Sequence, residues 1–268
     1  MAVSSRTTPA DPSADPRAVP ALQRKDAWWL NPLAFFLLFS AFGIWATSRA
    51  FQNNFYEIGP YLSPFYSPTI KLGLRIGAFE ISPALLILPF PLSFRLSCYY
   101  YRKAIYRAYL ADPAGCAVPE PGWLAKMRYL RYQGERAFPF ILQNFHRFAF
   151  YAAAIFIVLL WIDTLKTFFF ASHFGIHVGT LVFLTNVLLL SAYTFSCHSW
   201  RHLLGGGLDC YSCSVVSKTR YGLWQKVSLL NEKHGTWAML SLCSVALTDV
   251  YVCLYATHTI PDITIFQM

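Results

Sequence analysis

Five stretches of the chain are almost wholly apolar, and polar residues gather between them in basic segments edged with aromatic side chains. They run from about Trp29 to Thr47, Leu72 to Phe94, Phe145 to Phe170, His177 to Trp200 and Trp237 to Thr257. About 20 residues at 1.5 Å rise cross a hydrocarbon core of about 30 Å, so each stretch is long enough to span a bilayer as a helix. The pattern predicts an all-α integral membrane protein, with five transmembrane helices in an up-and-down bundle over residues 28–268. Trp28 and Trp29 form an aromatic belt where the first helix begins. Pro83, Pro89 and Pro91 predict a kink in the second. Residues 1–27 read as a disordered cytosolic tail: rich in Pro, Ser, Thr and Ala, with no apolar core leading to a cleavage site.

Composition supports the bilayer. The 268 residues are 56% hydrophobic and only 13% charged, whereas a soluble domain carries about 25% charged residues. The net charge of +9 would suggest a nucleic-acid partner in a soluble protein, but its placement argues otherwise. The tail and the second and fourth inter-helix segments, with the helix ends that join them, hold 18 Lys and Arg, and the opposite side holds four. That asymmetry places the N-terminus in the cytosol and the C-terminus outside. No nucleic-acid motif, heptad pattern or internal repeat accompanies the charge, and the seven Cys do not fit a small secreted disulfide scaffold.

Threading five helices up and down brings distant residues to one membrane level. Cys98 closes the second helix, Cys116 lies in the following inner loop, and His146 opens the third helix. Cys197, His198 and His202 end the fourth, and His234 precedes the fifth. His198 and His202 are four residues apart and share a helix face. Seven metal-ligand side chains thus converge on the inner side. Two centres could use them: a haem b between two facing His, or an iron–sulfur cluster held by two thiolates and two imidazoles. Cys210 and Cys213 form an isolated C-x-x-C with no second pair to complete a zinc site. Gly205-Gly206-Gly207 reads as a helix stop.

Other groups at these levels bear on function. Gln143, Asn144, His146, Arg147 and Tyr101 offer amide, imidazole, cationic and phenolic groups beside apolar surface, which suits a quinone ring and its two carbonyls. Glu80, Asp163 and Asp249 fall in the outer halves of their helices, where an ionised group needs a partner or a cavity. Arg75 and Lys166 lie at a matching depth and are the expected partners.

Several segments together carry a family resemblance. These are Leu62-Ser63-Pro64-Phe65-Tyr66-Ser67-Pro68, the run from Phe94 to Ala104, Gly134-Glu135-Arg136 through Gln143-Asn144-Phe145-His146-Arg147, and Ser196-Cys197-His198-Ser199 with Arg201-His202. The chain resembles the single-chain, five-helix membrane anchor of succinate dehydrogenases of the mycobacterial and actinobacterial type. Thr69 and Trp200 stand where that pattern has Cys, which leaves Cys197 as the thiol of the second motif.

The resemblance implies a subunit of respiratory complex II in the bacterial plasma membrane. It would dock a flavoprotein subunit and an iron–sulfur subunit, contact membrane lipids, and pass electrons to menaquinone or ubiquinone. It also implies a Rieske-like [2Fe–2S] cluster, with Cys98 and Cys116 the favoured thiolates and His198, His202, His146 and His234 competing for the imidazole positions. No Gly-x-Gly-x-x-Gly fingerprint is present, so succinate chemistry is expected on another chain. A haem b anchor of the same complex and a non-redox transporter or scaffold remain alternative readings.

Overall fold

The structure is a computed structural model, and it describes residues 26–70, 73, 75–76, 79–111, 113–116, 118, 141–170 and 173–268. The expected tail and the Gly134-Glu135-Arg136 motif lie outside the described residues. Two compact units emerge, one of residues 1–38 and 103–132 and the other of residues 39–102 and 133–268.

Four helices are long and apolar enough to cross a membrane. They are α1 (Leu30–Gln52), α5 (Ile141–Lys166), α6 (Val178–Phe195) and α9 (His234–Ala256). Leu37, Ile44, Ile155, Leu188 and Leu247 are exposed along them. Such side chains belong in lipid, since in water they would form an apolar surface of unusual extent.

The second apolar stretch behaves differently from its sequence expectation. Instead of one kinked helix from Leu72 it gives a hairpin, with β3 (Arg75–Ile76) antiparallel to β4 (Phe79–Glu80), followed by α2 (Pro83–Ile87) and α3 (Pro89–Ser97). Pro83 and Pro89 each occupy a first helical position, where a missing N–H costs nothing. Leu88 between the two helices stays in the right-handed helical region, so Pro83 starts the helical run and Pro89 marks the break within it. The apolar helical run Pro83–Ser97 is about 22 Å long at 1.5 Å per residue, short of the hydrocarbon thickness. Glu80 consequently sits exposed on a hairpin strand and not within a helix.

In the second unit α9 packs on α6, α3 on α5, and α5 on α6. One core cluster gathers Ala50, Phe65, Tyr66, Ala84, Ile157, Leu190 and Val245, and another gathers Tyr61, Phe183 and Val252. Small residues such as Ala153, Ala238 and Ser241 are buried where helices approach closely. Between α1 and the hairpin, β1 (Glu57–Ile58) pairs with β2 (Tyr61–Leu62), followed by a 3-10 turn at Pro64–Tyr66. A three-stranded sheet orders β5 (Phe169–Phe170), β6 (His173–His177) and β7 (Thr264–Gln267), with Ile176 opposite Phe266.

Below α6 the chain forms a helical hairpin of α7 (His198–Gly205) and α8 (Val215–Glu232). Arg220 closes it by donating from Nε to the Leu204 carbonyl at 2.8 Å and from Nη2 to the Gly206 carbonyl at 3.0 Å. Gly206 caps α7 and Gly207 takes φ of 69°, so the glycine run is the stop its sequence suggests. Cys210 and Cys213 are joined by a disulfide at the tip. After α3, α4 (Tyr99–Ile105) continues into a π-turn at Tyr106–Leu110, and within the first unit the Phe36 and Tyr109 rings lie 5.0 Å apart, tilted by 52°.

Candidate functional site

Three helix ends meet at one end of the second unit: the C-terminus of α3, the C-terminus of α6 and the N-terminus of α9. The first turns of α5 lie beside them. Cys98 follows α3, Cys197 follows α6, His234 opens α9, and His146 stands in the second turn of α5. Cys98, Cys197 and His234 are each no more than 3% exposed. The side chains meet as two pairs. His146 Nε2 lies 3.1 Å from Cys197 Sγ, and His234 Nε2 lies 3.5 Å from Cys98 Sγ.

A serine beneath each imidazole decides which nitrogen faces the thiol. Ser97 Oγ donates its proton to the Ser93 carbonyl at 2.6 Å, and Ser196 Oγ donates to the Tyr193 carbonyl at 3.0 Å. A hydroxyl has one proton, so both serines are left as acceptors. Through these serines the outer nitrogens are held in place, His146 Nδ1 at 2.8 Å from Ser97 and His234 Nδ1 at 2.6 Å from Ser196. Each Nε2 faces a cysteine sulfur. A fixed tautomer with the outer nitrogen anchored is how proteins hold imidazole ligands on a metal. Phe94 stacks on His146 at 4.8 Å, and Tyr193 stacks on His234 at 5.1 Å. Asn231 Nδ2 fixes the turn from outside by donating to the Ser196 carbonyl at 2.6 Å. Burial pushes the Cys197 thiol up to about 11, partly offset by the Ser199 N–H. An uncoordinated Cys197 would therefore stay protonated at neutral pH.

The remaining expected ligands fall elsewhere. His198 and His202 bond to each other through their Nε2 atoms at 2.9 Å on the exposed face of α7, although His198 is close enough to act electrostatically on His146 and His234. Cys116 belongs to the first unit, where it lines a pocket of about 350 Å³ with Trp28, Asn31, Phe35 and Arg107. The four-residue set is assembled wholly within the second unit. Among the described residues no three His, Cys, Asp or Glu side chains surround a common point. The donors are two thiols and two imidazoles, the number and kind a binuclear iron–sulfur cluster with two protein ligands per iron requires.

The expected quinone residues do not form one wall. Tyr101 is buried and donates to the Ala238 carbonyl, whereas Asn144 and Arg147 are exposed on the first turns of α5, and His146 is engaged with Ser97 and Cys197. The Gln143 side chain lies outside the described residues.

At the other end of the same helices the buried acids have partners. Asp249, fully buried, accepts from Arg49 Nε at 3.0 Å, Trp45 Nε1 at 2.8 Å and Ser63 Oγ at 2.5 Å. Asp163 accepts from Ser67 Oγ at 2.5 Å and from Lys166 Nζ at 2.9 Å. Lys166 was legible from spacing, but Asp249 pairs with Arg49 and not Arg75. Asp262 accepts from Tyr61, Tyr251 and the Gly179 N–H, an arrangement sequence reasoning missed. Also missed were Ser97, Ser196, Tyr193 and Arg95. Their signal was position alone, within one turn of a candidate ligand or facing one across the bundle.

Comparison with known proteins fits this architecture. The family model described as actinobacterial succinate dehydrogenase subunit SdhC matches residues 30–258. Among solved structures, a chain of the Mycobacterium smegmatis Sdh1 complex in the apo form is similar at 40% identity and a TM-score of 0.78, covering 92% of this chain and 94% of that one. The curated proteins give no match. With the family match spanning most of its length and its long apolar helices in place, this chain belongs to the actinobacterial SdhC family, the membrane subunits of succinate dehydrogenase.

Proposed function

We propose that this chain anchors succinate dehydrogenase to the bacterial plasma membrane and carries electrons to menaquinone or ubiquinone through a Rieske-like [2Fe–2S] cluster. The short helix Pro83–Ser97 serves as the fifth membrane element, and the N-terminus and the Cys98 end face the cytosol, where the flavoprotein and iron–sulfur subunits dock. Cys98, Cys197, His146 and His234 would hold the cluster. It supplies a one-electron carrier between the soluble subunits and quinone, and imidazole ligation raises its potential by removing thiolate charge.

The observation that carries this reading is the pair of serine-anchored imidazoles, each turning its Nε2 toward a buried thiol. Ser97 and Ser196 anchor the outer imidazole nitrogens, Phe94 and Tyr193 fix the ring planes, and the helix ends exclude water. Succinate oxidation takes place on the partner subunit.

The test is EPR and optical spectroscopy of the purified complex, oxidised and reduced. A Rieske-like reduced signal should be present, should disappear in Cys98→Ser, Cys197→Ser, His146→Ala and His234→Ala, and should persist in Cys116→Ser and His202→Ala. A Soret band with split haem absorption in place of that signal refutes the cluster and supports haem b. Loss of the signal in His202→Ala but not His234→Ala would move the imidazole ligands to α7.

A further inference from the structure

The end of the bundle that holds Cys98 and His234 also holds a buried cation. Arg95 lies in the last turn of α3 and is 9% exposed. Its Nη1 donates to the Tyr101 hydroxyl and, at 3.3 Å, to the Ala238 carbonyl, while Nη2 donates to Ser241 Oγ at 3.3 Å. Its Cζ stands 4.9 Å from the Tyr193 ring centroid and 5.3 Å from that of Tyr101. Every one of these partners is neutral. Among the described residues no ion pair involves Arg95, although Arg49 in the same unit has the Asp249 carboxylate at 3.0 Å. Burying a guanidinium without a counter-charge is expensive, and hydrogen bonds to neutral oxygens recover only part of the cost.

The Cys98 thiol, which becomes a negative thiolate on binding a metal, belongs to the same group. Cys98 follows Arg95 by three residues, and its N–H donates to the Arg95 carbonyl at 3.1 Å. The Tyr193 ring under the guanidinium stacks on His234, which touches Cys98, and among the described residues the buried Tyr193 hydroxyl has no hydrogen-bond partner. Arg95, Tyr193, His234 and Cys98 thus form one packed group.

We infer that Arg95 is the built-in counter-charge of the metal centre, raising its affinity for an electron. This rests on the cluster reading proposed above. A centre bound by two thiolates gains one further negative charge on reduction, and a fixed cation buried in the same packed group stabilises the reduced state more than the oxidised one. Net charge and burial are among the levers that set iron–sulfur potentials. Arg95 therefore acts on the centre electrostatically, as a positioning and tuning residue that touches no substrate.

The experiment is an EPR-monitored redox titration of the intact complex in native membranes. Arg95→Gln should weaken the one-electron affinity of the centre at least tenfold, a fall of 59 mV or more in midpoint, with the line shape and cluster content retained. Arg95→Lys keeps the charge and should titrate close to wild type, as should Lys226→Gln, which removes an exposed charge from α8. If Arg95→Gln fails to assemble, Ser241→Asp tests the same point by placing a carboxylate beside Nη2, and its midpoint should fall similarly. A cluster signal whose midpoint does not move in Arg95→Gln or Ser241→Asp overturns this inference alone. A fall in Arg95→Lys equal to that in Arg95→Gln also overturns it, because charge would not be the cause. A wild-type complex without any Rieske-like signal overturns the cluster reading and this inference with it.

Discussion

Replacing Asp249 by Ala removes the carboxylate that faces the Arg49 guanidinium, and both side chains are wholly buried. Arg49 would keep its bonds to Gln52 Oε1 at 2.9 Å and to the Asn54 and Phe55 carbonyls at 3.1 Å, but its charge would be stranded in a dry site. Breaking a buried pair from one side costs about 3–5 kcal/mol. Trp45 Nε1 and Ser63 Oγ lose their acceptor too, so the expected loss is at the upper end, about 5 kcal/mol. Asp249→Leu combined with Arg49→Met strands no charge and should recover about 2 kcal/mol of that. Equilibrium unfolding of the reconstituted subunit in mixed detergent micelles measures all three variants. A cost under about 1 kcal/mol for Asp249→Ala, or simple additivity in the double variant, would refute the argument, since coupled partners deviate from additivity.

Further expectations follow from single contacts. A Cβ on Gly179 would stand 2.6 Å from Tyr61 Cζ, and the Tyr61 ring is buried with its hydroxyl held by Asp262; Gly179→Ala should cost about 1–3 kcal/mol in thermal stability. In Gly205→Ala the new Cβ would meet Trp224 Cδ1 at 2.3 Å, so the α7–α8 hairpin should open, detected as faster proteolysis near Cys210. The folded Cys197 thiol titrates near 11, above its ordinary value, so the metal-free protein should lose stability as pH rises past the ordinary thiol range, the unfolded chain releasing that proton first. Thermal melts at pH 7 and 10 test this, and equal loss in Cys197→Ser would refute it. Alkylation at pH 8 should label exposed Cys116 before buried Cys98 and Cys197, as read by mass spectrometry.

Hydrophobic runs alone made the membrane class and four of the helices legible, because a helix bathed in lipid is apolar around its whole circumference and needs no partner to show its pattern. They misread the stretch from Leu72 because apolarity does not report backbone conformation. Pro83 and Pro89 could mark a bend or a beginning, and it is Pro83 that begins the helical run, in a short helix packed against the turn at Pro64–Tyr66. Depth along the helices grouped Cys98, Cys197, His146 and His234 with Cys116, His198 and His202 at one level, and the structure brings the first four together as two pairs. Depth says nothing about rotation, and a helix can turn a ligand toward the bundle or toward solvent at no change in level.

The sequence by itself therefore made legible the solvent and four of the membrane elements, and proposed a shortlist of donors, all of which depend on composition along one dimension. Tertiary structure decided the rest: that His198 and His202 bond to each other while His146 and His234 meet thiols, that Asp249 answers Arg49, and that Arg95 has no carboxylate among the described residues. Those outcomes turn on which faces of distant helices meet. Burial settles them, because a charge or proton excluded from water must find its partner among the side chains packed against it.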